Sequence, residues 1–178
     1  MAPGAMDPDV TIRRERAGDA AAIGELITAA FLGKPYADGD EAELVEKLRA
    51  RGALSVSLVA EHEGVIVGQA AFSPAQAPDG SPGWYALGPI AVLPAHQRRG
   101  IGSVLVHAGF EAISGLGARG CILVGDPAYY SRFGFELSPT NVPPGQPAEY
   151  FQVKLLRGPL PAGPFRFHRA FGGDVPDL

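Results

Sequence analysis

Residues 85–103 read Tyr85-Ala86-Leu87-Gly88-Pro89-Ile90-Ala91-Val92-Leu93-Pro94-Ala95-His96-Gln97-Arg98-Arg99-Gly100-Ile101-Gly102-Ser103. Tyr85 to Leu93 is apolar and reads as a strand with an irregular middle. Proline cannot donate a ladder hydrogen bond, and glycine inside a strand marks a bulge, so Gly88-Pro89 interrupts it. A glycine-containing turn then opens a helix that carries Ile101, Leu105, Ala108 and Ala112 on one face. The first turn of a helix has unpaired N–H groups and a partial positive charge. Gly100 and Gly102 let an anion approach that backbone, and Arg98 and Arg99 add fixed positive charge beside it. The segment reads as a phosphate or pyrophosphate site. The plainer alternative is a tight turn with a solvated basic pair.

Two other phosphate signatures do not fit. No Gly-Lys-Ser/Thr follows the glycines, so this is not a P-loop. A literal G-x-G-x-x-G occurs at Gly115-Leu116-Gly117-Ala118-Arg119-Gly120. It ends a helix and leads into a strand, the reverse of the dinucleotide-binding context, and reads as a helix stop.

Working outward, Val10 to Arg14 reads as a short strand. Asp19 reads as the N-cap of a helix with Ile23, Leu26, Ile27, Ala30 and Phe31 on one face. Asp40 starts a second helix, with Glu43 in a capping-box-like position, a Leu44/Val45/Leu48 stripe, and Gly52 past its end. Ser55 to Glu61 and Val65 to Ser73 alternate around Glu63-Gly64 and predict an antiparallel hairpin. Residues 74–83 read as a loop. Cys121 to Val124 reads as a buried strand, and Pro127 to Phe133 as one or two helical turns stopped by Gly134. Phe135–Leu137 and Tyr150–Leu156 read as late strands. The order β-α-α-β-β-β-α-β-α-β-β predicts an α/β (α+β type) fold. We expect a single mixed, mostly antiparallel sheet of about six to seven strands, flanked by helices. Residues 1–9 are expected to be a disordered tail or cloning remnant, and 10–178 a single domain. Its stretch 138–178 holds eight of the 17 prolines and is expected to wrap the core as extended chain.

Composition narrows the function classes. Of 178 residues, 24 are Gly and 17 Pro, an excess that raises the suspicion of low complexity. The apolar fraction of 46% against 19% charged argues instead for a packed core. A net charge of −4 excludes a broadly basic nucleic-acid surface. No run of about 20 apolar residues suggests a membrane span. Cys121 is the single cysteine, so a disulfide scaffold is excluded and a reducing, cytoplasmic setting is expected. Lying in an apolar run, it reads as a packed thiol rather than a nucleophile. The four histidines, His62, His96, His107 and His168, lack metal-ligand spacing, and no metal is expected. Phe165-Arg166-Phe167-His168 alternates and reads as extended packing.

Two stretches together resemble the GCN5-related N-acetyltransferases (GNAT). Leu87 to Pro94 followed by Gln97-Arg98-Arg99-Gly100-Ile101-Gly102 is similar to that family's motif A. Tyr130-Ser131-Arg132-Phe133-Gly134-Phe135 is similar to its later Y-x-x-x-G-F signature. The compact run Gly125 to Phe135 most resembles the YhbS-like branch. The likeness in element order covers roughly residues 10–156.

The resemblance implies a GNAT-like fold with splayed central strands and transfer of acetyl from acetyl-CoA to a primary amine. It implies that Ile90, Ala91 and Val92 pair with the pantetheine arm. It further implies that Gln97, Arg98, Arg99, Gly100, Ile101, Gly102 and Ser103 hold the pyrophosphate. Tyr130 matches the family's general acid. A strand N–H near Ala91 or Val92 would stabilise the developing oxyanion. Asp126-Pro127 occupies the turn where many members carry Asn. No carboxylate lies in Tyr85–Leu93 or Cys121–Gly125, so the amine's base falls to Asp126, Glu61, His62, His96, water, or no protein group. The competing reading is a non-catalytic acyl-CoA-binding module. The partners implied are acetyl-CoA and an unidentified amine acceptor, with room for a homodimer. Acceptor choice is expected to reside in the loops at 33–40 and 74–84 and in the C-terminal wrap.

Overall fold

A computed structural model of the chain describes residues 9–35 and 37–172. The expected tail, apart from Asp9, therefore lies outside the described residues, as do Tyr36 and the last six residues. The elements are β1 (Val10–Arg14), α1 (Ala20–Phe31), α2 (Glu41–Ala50), β2 (Val56–His62), β3 (Val65–Pro74) and β4 (Trp84–Val92). After them come α3 (Ile101–Gly115), β5 (Gly120–Val124), α4 (Pro127–Tyr130), β6 (Glu136–Leu137) and β7 (Phe151–Leu155). The order is the expected one. The seven strands lie in the sequence β1-β2-β3-β4-β5-β7-β6. β1–β2, β2–β3, β5–β7 and β6–β7 are antiparallel, while β4–β5 is parallel. The described residues form two compact units, one of residues up to 72 with 88–110, the other of 73–87 with residues from 111 onward. No helix is long and apolar enough to cross a membrane among the described residues.

In the first unit, Glu63 and Gly64 take φ of 51° and 79°. Positive φ at both central residues is what a two-residue hairpin turn requires. α1 and α2 cover one face, burying Ile23, Leu26, Ile27, Ala30 and Val45 with Val59, Ala71 and Ala91. α3 seats through glycines. A Cβ on Gly68 of β3 would lie 3.1 Å from both Ile101 Cγ2 and Leu105 Cδ1, so the first turns of α3 rest on bare backbone. One step along, a Cβ on Gly109 of α3 would lie 2.2 Å from the Phe72 ring.

Both expected helix caps differ. Asp19 makes no side-chain cap on α1. Its carboxylate accepts from Arg13 Nη1 at 2.8 Å and from the Arg16 N–H at 2.6 Å. A guanidinium gives a charge-assisted bond that outbids a free helix N–H. Arg13 Nε also donates to Glu61 at 2.7 Å, so one side chain ties β1, β2 and the start of α1. At α2 the capping box does not form, because Asp40 makes no side-chain cap. Glu41 accepts from the Asp38 and Gly39 N–H groups at 2.9 and 3.2 Å, and Glu43 pairs with Lys47 one turn on.

In the second unit, Trp84, Ala86, Ile122, Phe151 and Val153 share a core with Ala77, Phe165 and Phe167. The expected loop at 74–83 is held by an isolated bridge between Gln76 and Arg166, whose backbones exchange bonds of 2.9 and 3.0 Å. The C-terminal stretch is thus a structural member of this core, and Phe165 stacks edge-on to Trp84 at 4.8 Å. His168, 5% exposed, accepts the Ala170 N–H at Nδ1.

Two outcomes follow. Gly109→Ala forces its methyl into the Phe72 ring and should cost about 1–3 kcal/mol, read as a lower midpoint in thermal unfolding by circular dichroism. Arg13, first through its side-chain bond and then with help from the Arg16 N–H, holds the Asp19 carboxyl below its usual value. A depressed carboxyl contributes stability above its unfolded pKa and loses it as pH falls through the folded one. The stability gap between the wild type and Asp19→Asn in urea should therefore be full above the ordinary carboxylate range, about pH 5, and shrink as the pH falls below it.

Candidate functional site

From Gly88 to Ser103 the motif A residues lie consecutively in the first unit. In β4, Ala91 is 3% exposed and packs into the α1–α2 core, whereas its neighbours Ile90 and Val92 are half-buried. The interruption is present: Gly88 has φ of 149° and the Gly88–Pro89 peptide is cis. The ladder of β4 to β5 comprises Trp84–Gly120, Tyr85–Cys121 and Ala86–Ile122, and so lies wholly before Gly88.

Beyond β4, Leu93 donates its N–H to the Val67 carbonyl at 2.9 Å, and a short 3₁₀ turn, Pro94–His96, redirects the chain. Gln97 Nε2 donates back to the Val92 carbonyl at 3.0 Å, so this side chain braces the loop. Arg98 adopts φ of +64° and Gly100 φ of +81°. For glycine the left-handed region is free, but for arginine it costs about 1–2 kcal/mol. Arg98 and Arg99 are exposed. Val104 donates to the Gly100 carbonyl at 3.1 Å, closing the first turn of α3. The N–H groups ahead of it have no intrahelical acceptor. Ile101 is buried at 1% while Gly102 and Ser103 remain partly exposed. The helix is thereby pinned by its apolar side with its N-terminal N–H groups beside two cations, an arrangement that fits a diphosphate.

Tyr130 belongs to the second unit. Pro127 stands at the first position of α4, and Asp126 caps it, accepting the Ala128 N–H at 2.9 Å. Gly134, at φ +89°, ends the following turn. The Tyr130 ring lies against Gly125, where a Cβ would sit 2.5 Å from its Cε2. It meets the rings of Tyr129 at 4.9 Å and Phe135 at 6.0 Å, both near-perpendicular. Tyr129 differs: the Arg132 guanidinium covers its ring at 4.5 Å, and burial pushes its phenol upward.

The candidate bases are occupied or packed. Glu61 is bound to Arg13, and Asp126 caps α4. His62 and His96 pack against each other, tilted by 60°, with centroids 5.5 Å apart. Cys121 is fully buried, and burial raises its thiol far above the usual range, which suits packing rather than nucleophilic chemistry. One trio among the described residues, Asp38, Asp40 and Glu41, brings its carboxylates within 4.8 Å, and Glu41 already accepts two backbone N–H groups.

Two residues of this site escaped the sequence reading. Gly125 gives the Tyr130 ring its place, and Gln152 of β7, 1% exposed, donates to the Gly125 carbonyl at 2.8 Å. The available signal was a polar residue inside the apolar run Phe151-Gln152-Val153.

The sequence model of the GNAT acetyltransferase domain matches residues 53–137. The chain is 38% identical over 134 residues to YjhQ of Escherichia coli, an uncharacterized N-acetyltransferase, covering 74% of this chain and 71% of that one. It is 37% identical over 110 residues to the uncharacterized N-acetyltransferase YhbS of the same organism. That alignment covers 61% of this chain and 66%, just under two thirds, of YhbS. The YhbS crystal structure in complex with CoA superposes with a TM-score of 0.83 at 32% identity, covering 97% of this chain and 98% of that one. A GNAT family acetyltransferase from Brucella melitensis, in complex with acetyl-CoA, gives a TM-score of 0.81 at 43% identity, covering 91% and 97%. The chain belongs to the GNAT family of acetyltransferases.

The left-handed arginine offers a direct check on the loop. Arg98→Gly relieves the backbone and Arg98→Ala does not, so the glycine variant should be more stable to urea by about 1 kcal/mol.

Proposed function

We propose that residues 10–178 form one acetyl-CoA-dependent N-acetyltransferase domain that moves acetyl to a primary amine by direct attack in a ternary complex. The observation that carries this is the N-terminus of α3: first-turn N–H groups without an intrahelical acceptor, flanked by Arg98 and Arg99, on the loop that follows an interrupted strand. The complexes of YhbS with CoA and of the Brucella protein with acetyl-CoA support it. In this reading Gln97 to Ser103 surround the pyrophosphate, with Gln97 acting through its brace on Val92. The backbone of Ile90, Ala91 and Val92 receives the pantetheine arm.

The neutral amine attacks the thioester carbonyl, forming the C–N bond. An N–H near Ala91 or Val92 receives the oxyanion. As the C–S bond breaks, the Tyr130 phenol gives its proton to the departing thiolate and recovers one from solvent. Glu61 and Asp126 are committed to other partners. In this reading the amine enters neutral, and its surplus proton leaves to water. The lone Cys121 suits a reducing compartment, and we take the enzyme to act in the cytoplasm.

Acetyl-CoA and CoA, and not ATP, should raise the melting temperature, and a panel of primary amines should then release thiol from acetyl-CoA. Tyr130→Phe should lower kcat by about 10²–10⁴-fold, the usual worth of a general acid, with acetyl-CoA affinity held within about twofold. Unchanged turnover removes Tyr130 from the mechanism. CoA binding without thiol release to any acceptor turns the reading to a binding module.

A further inference from the structure

Gln152 is a buried amide between the buried apolar residues Phe151 and Val153, and its bonds lead to Tyr130. It stands opposite Leu123 of β5 and Leu137 of β6. Its Nε2 donates to the Gly125 carbonyl at 2.8 Å and, less closely, to that of Tyr150 at 3.4 Å. Its Oε1 is buried and has no hydrogen-bond partner among the described residues. A buried acceptor left unmet is unfavourable, and an aliphatic side chain of the same size would remove it. Packing alone does not account for glutamine here.

The amide instead fixes one residue. The Gly125 carbonyl accepts from Gln152, and the Gly125 N–H donates to the Tyr150 carbonyl at 3.0 Å. Both backbone polar groups of Gly125 are therefore held by the start of β7. Asp126 follows, and its carbonyl accepts the Tyr130 N–H at 3.0 Å. The Tyr130 ring rests on Gly125 itself, leaving no space for a Cβ. Gln152 thus sets the floor on which the phenol lies and the first turn of the helix that carries it. A displacement of about 1 Å at a proton donor can cost on the order of 10²-fold in rate.

We propose that Gln152 is a positioning residue for Tyr130, acting through the Gly125 backbone. The proposal rests on the reading of Tyr130 as the proton donor. Gln152→Leu keeps the volume and removes the donor. Thiol release from acetyl-CoA, with water and with the amine panel as acceptors, is measured for Gln152→Leu in the wild-type and Tyr130→Phe backgrounds. In the wild-type background kcat should fall about tenfold or more while the acetyl-CoA KM stays within about twofold. In the Tyr130→Phe background the same substitution should have no further effect, because the group it positions is gone. Gln152→Met, unbranched like glutamine but without the donor, should give the same pattern, which keeps the test open if Gln152→Leu folds poorly. An equal fall in both backgrounds, or no fall while Tyr130→Phe is impaired, overturns the proposal and leaves Tyr130 as the acid. If Tyr130→Phe is itself unimpaired, the assignment of Tyr130 fails and the proposal with it.

Discussion

The contact between the first turns of α3 and the bare backbone of Gly68 is the constraint on which the proposed cofactor half of the site depends. Ile101 and Leu105 come within 3.1 Å of where a Cβ would stand. A helix that binds an anion at its N-terminus has to be held by something other than that terminus, since every N–H spent on the protein is lost to the ligand. Here the grip is apolar and comes from the side. Ile101 is buried, Gly102 and Ser103 are not, and the loop before them is braced by Gln97 on Val92. The strain at Arg98 fits the same logic, because it turns the chain sharply without drawing on the helix's own donors.

Much of this was readable from residue order. The α1 stripe, Gly52 after α2, the Glu63-Gly64 turn, Pro127 at the head of α4 and Gly134 at the end of the next turn all mark features set by local physics. Each was found where expected. The caps were not. Asp19 and Asp40 have the right residue type at the right place, yet local preference says nothing about an arginine arriving from β1 or a glutamate one residue on. Arg13 takes Asp19, while Glu41 turns back to the Asp38 and Gly39 N–H groups ahead of the helix and Asp40 makes no side-chain cap. At Asp19 a charged partner from β1 overrode the capping propensity.

The site divides the same way. The loop proposed to hold the pyrophosphate is one contiguous stretch whose glycines and arginines carry the message themselves. The seat of Tyr130 is assembled from residues 125, 130, 135 and 152, brought together by antiparallel register between β5, β7 and β6. Gln152 is 27 positions from the carbonyl it holds. Its place between Phe151 and Val153 is the one local mark it carries, and that mark does not say which carbonyl it holds.

The bridge between Gln76 and Arg166, with Phe165 and Phe167 buried beside it, separates two boundaries that are easily confused. The stretch by which the family is recognised closes at residue 137. The stretch that the second unit needs in order to exclude water runs on through Phe151, Val153, Phe165 and Phe167. Ancestry is legible in the first, and a foldable polypeptide is defined by the second. A gene trimmed to its recognisable portion would encode the signature of an acetyltransferase together with an unfinished hydrophobic core. The C-terminal segment, rich in proline and weak in pattern, is therefore constrained from the inside, where Phe165 and Phe167 must stay apolar for the second unit to close its core.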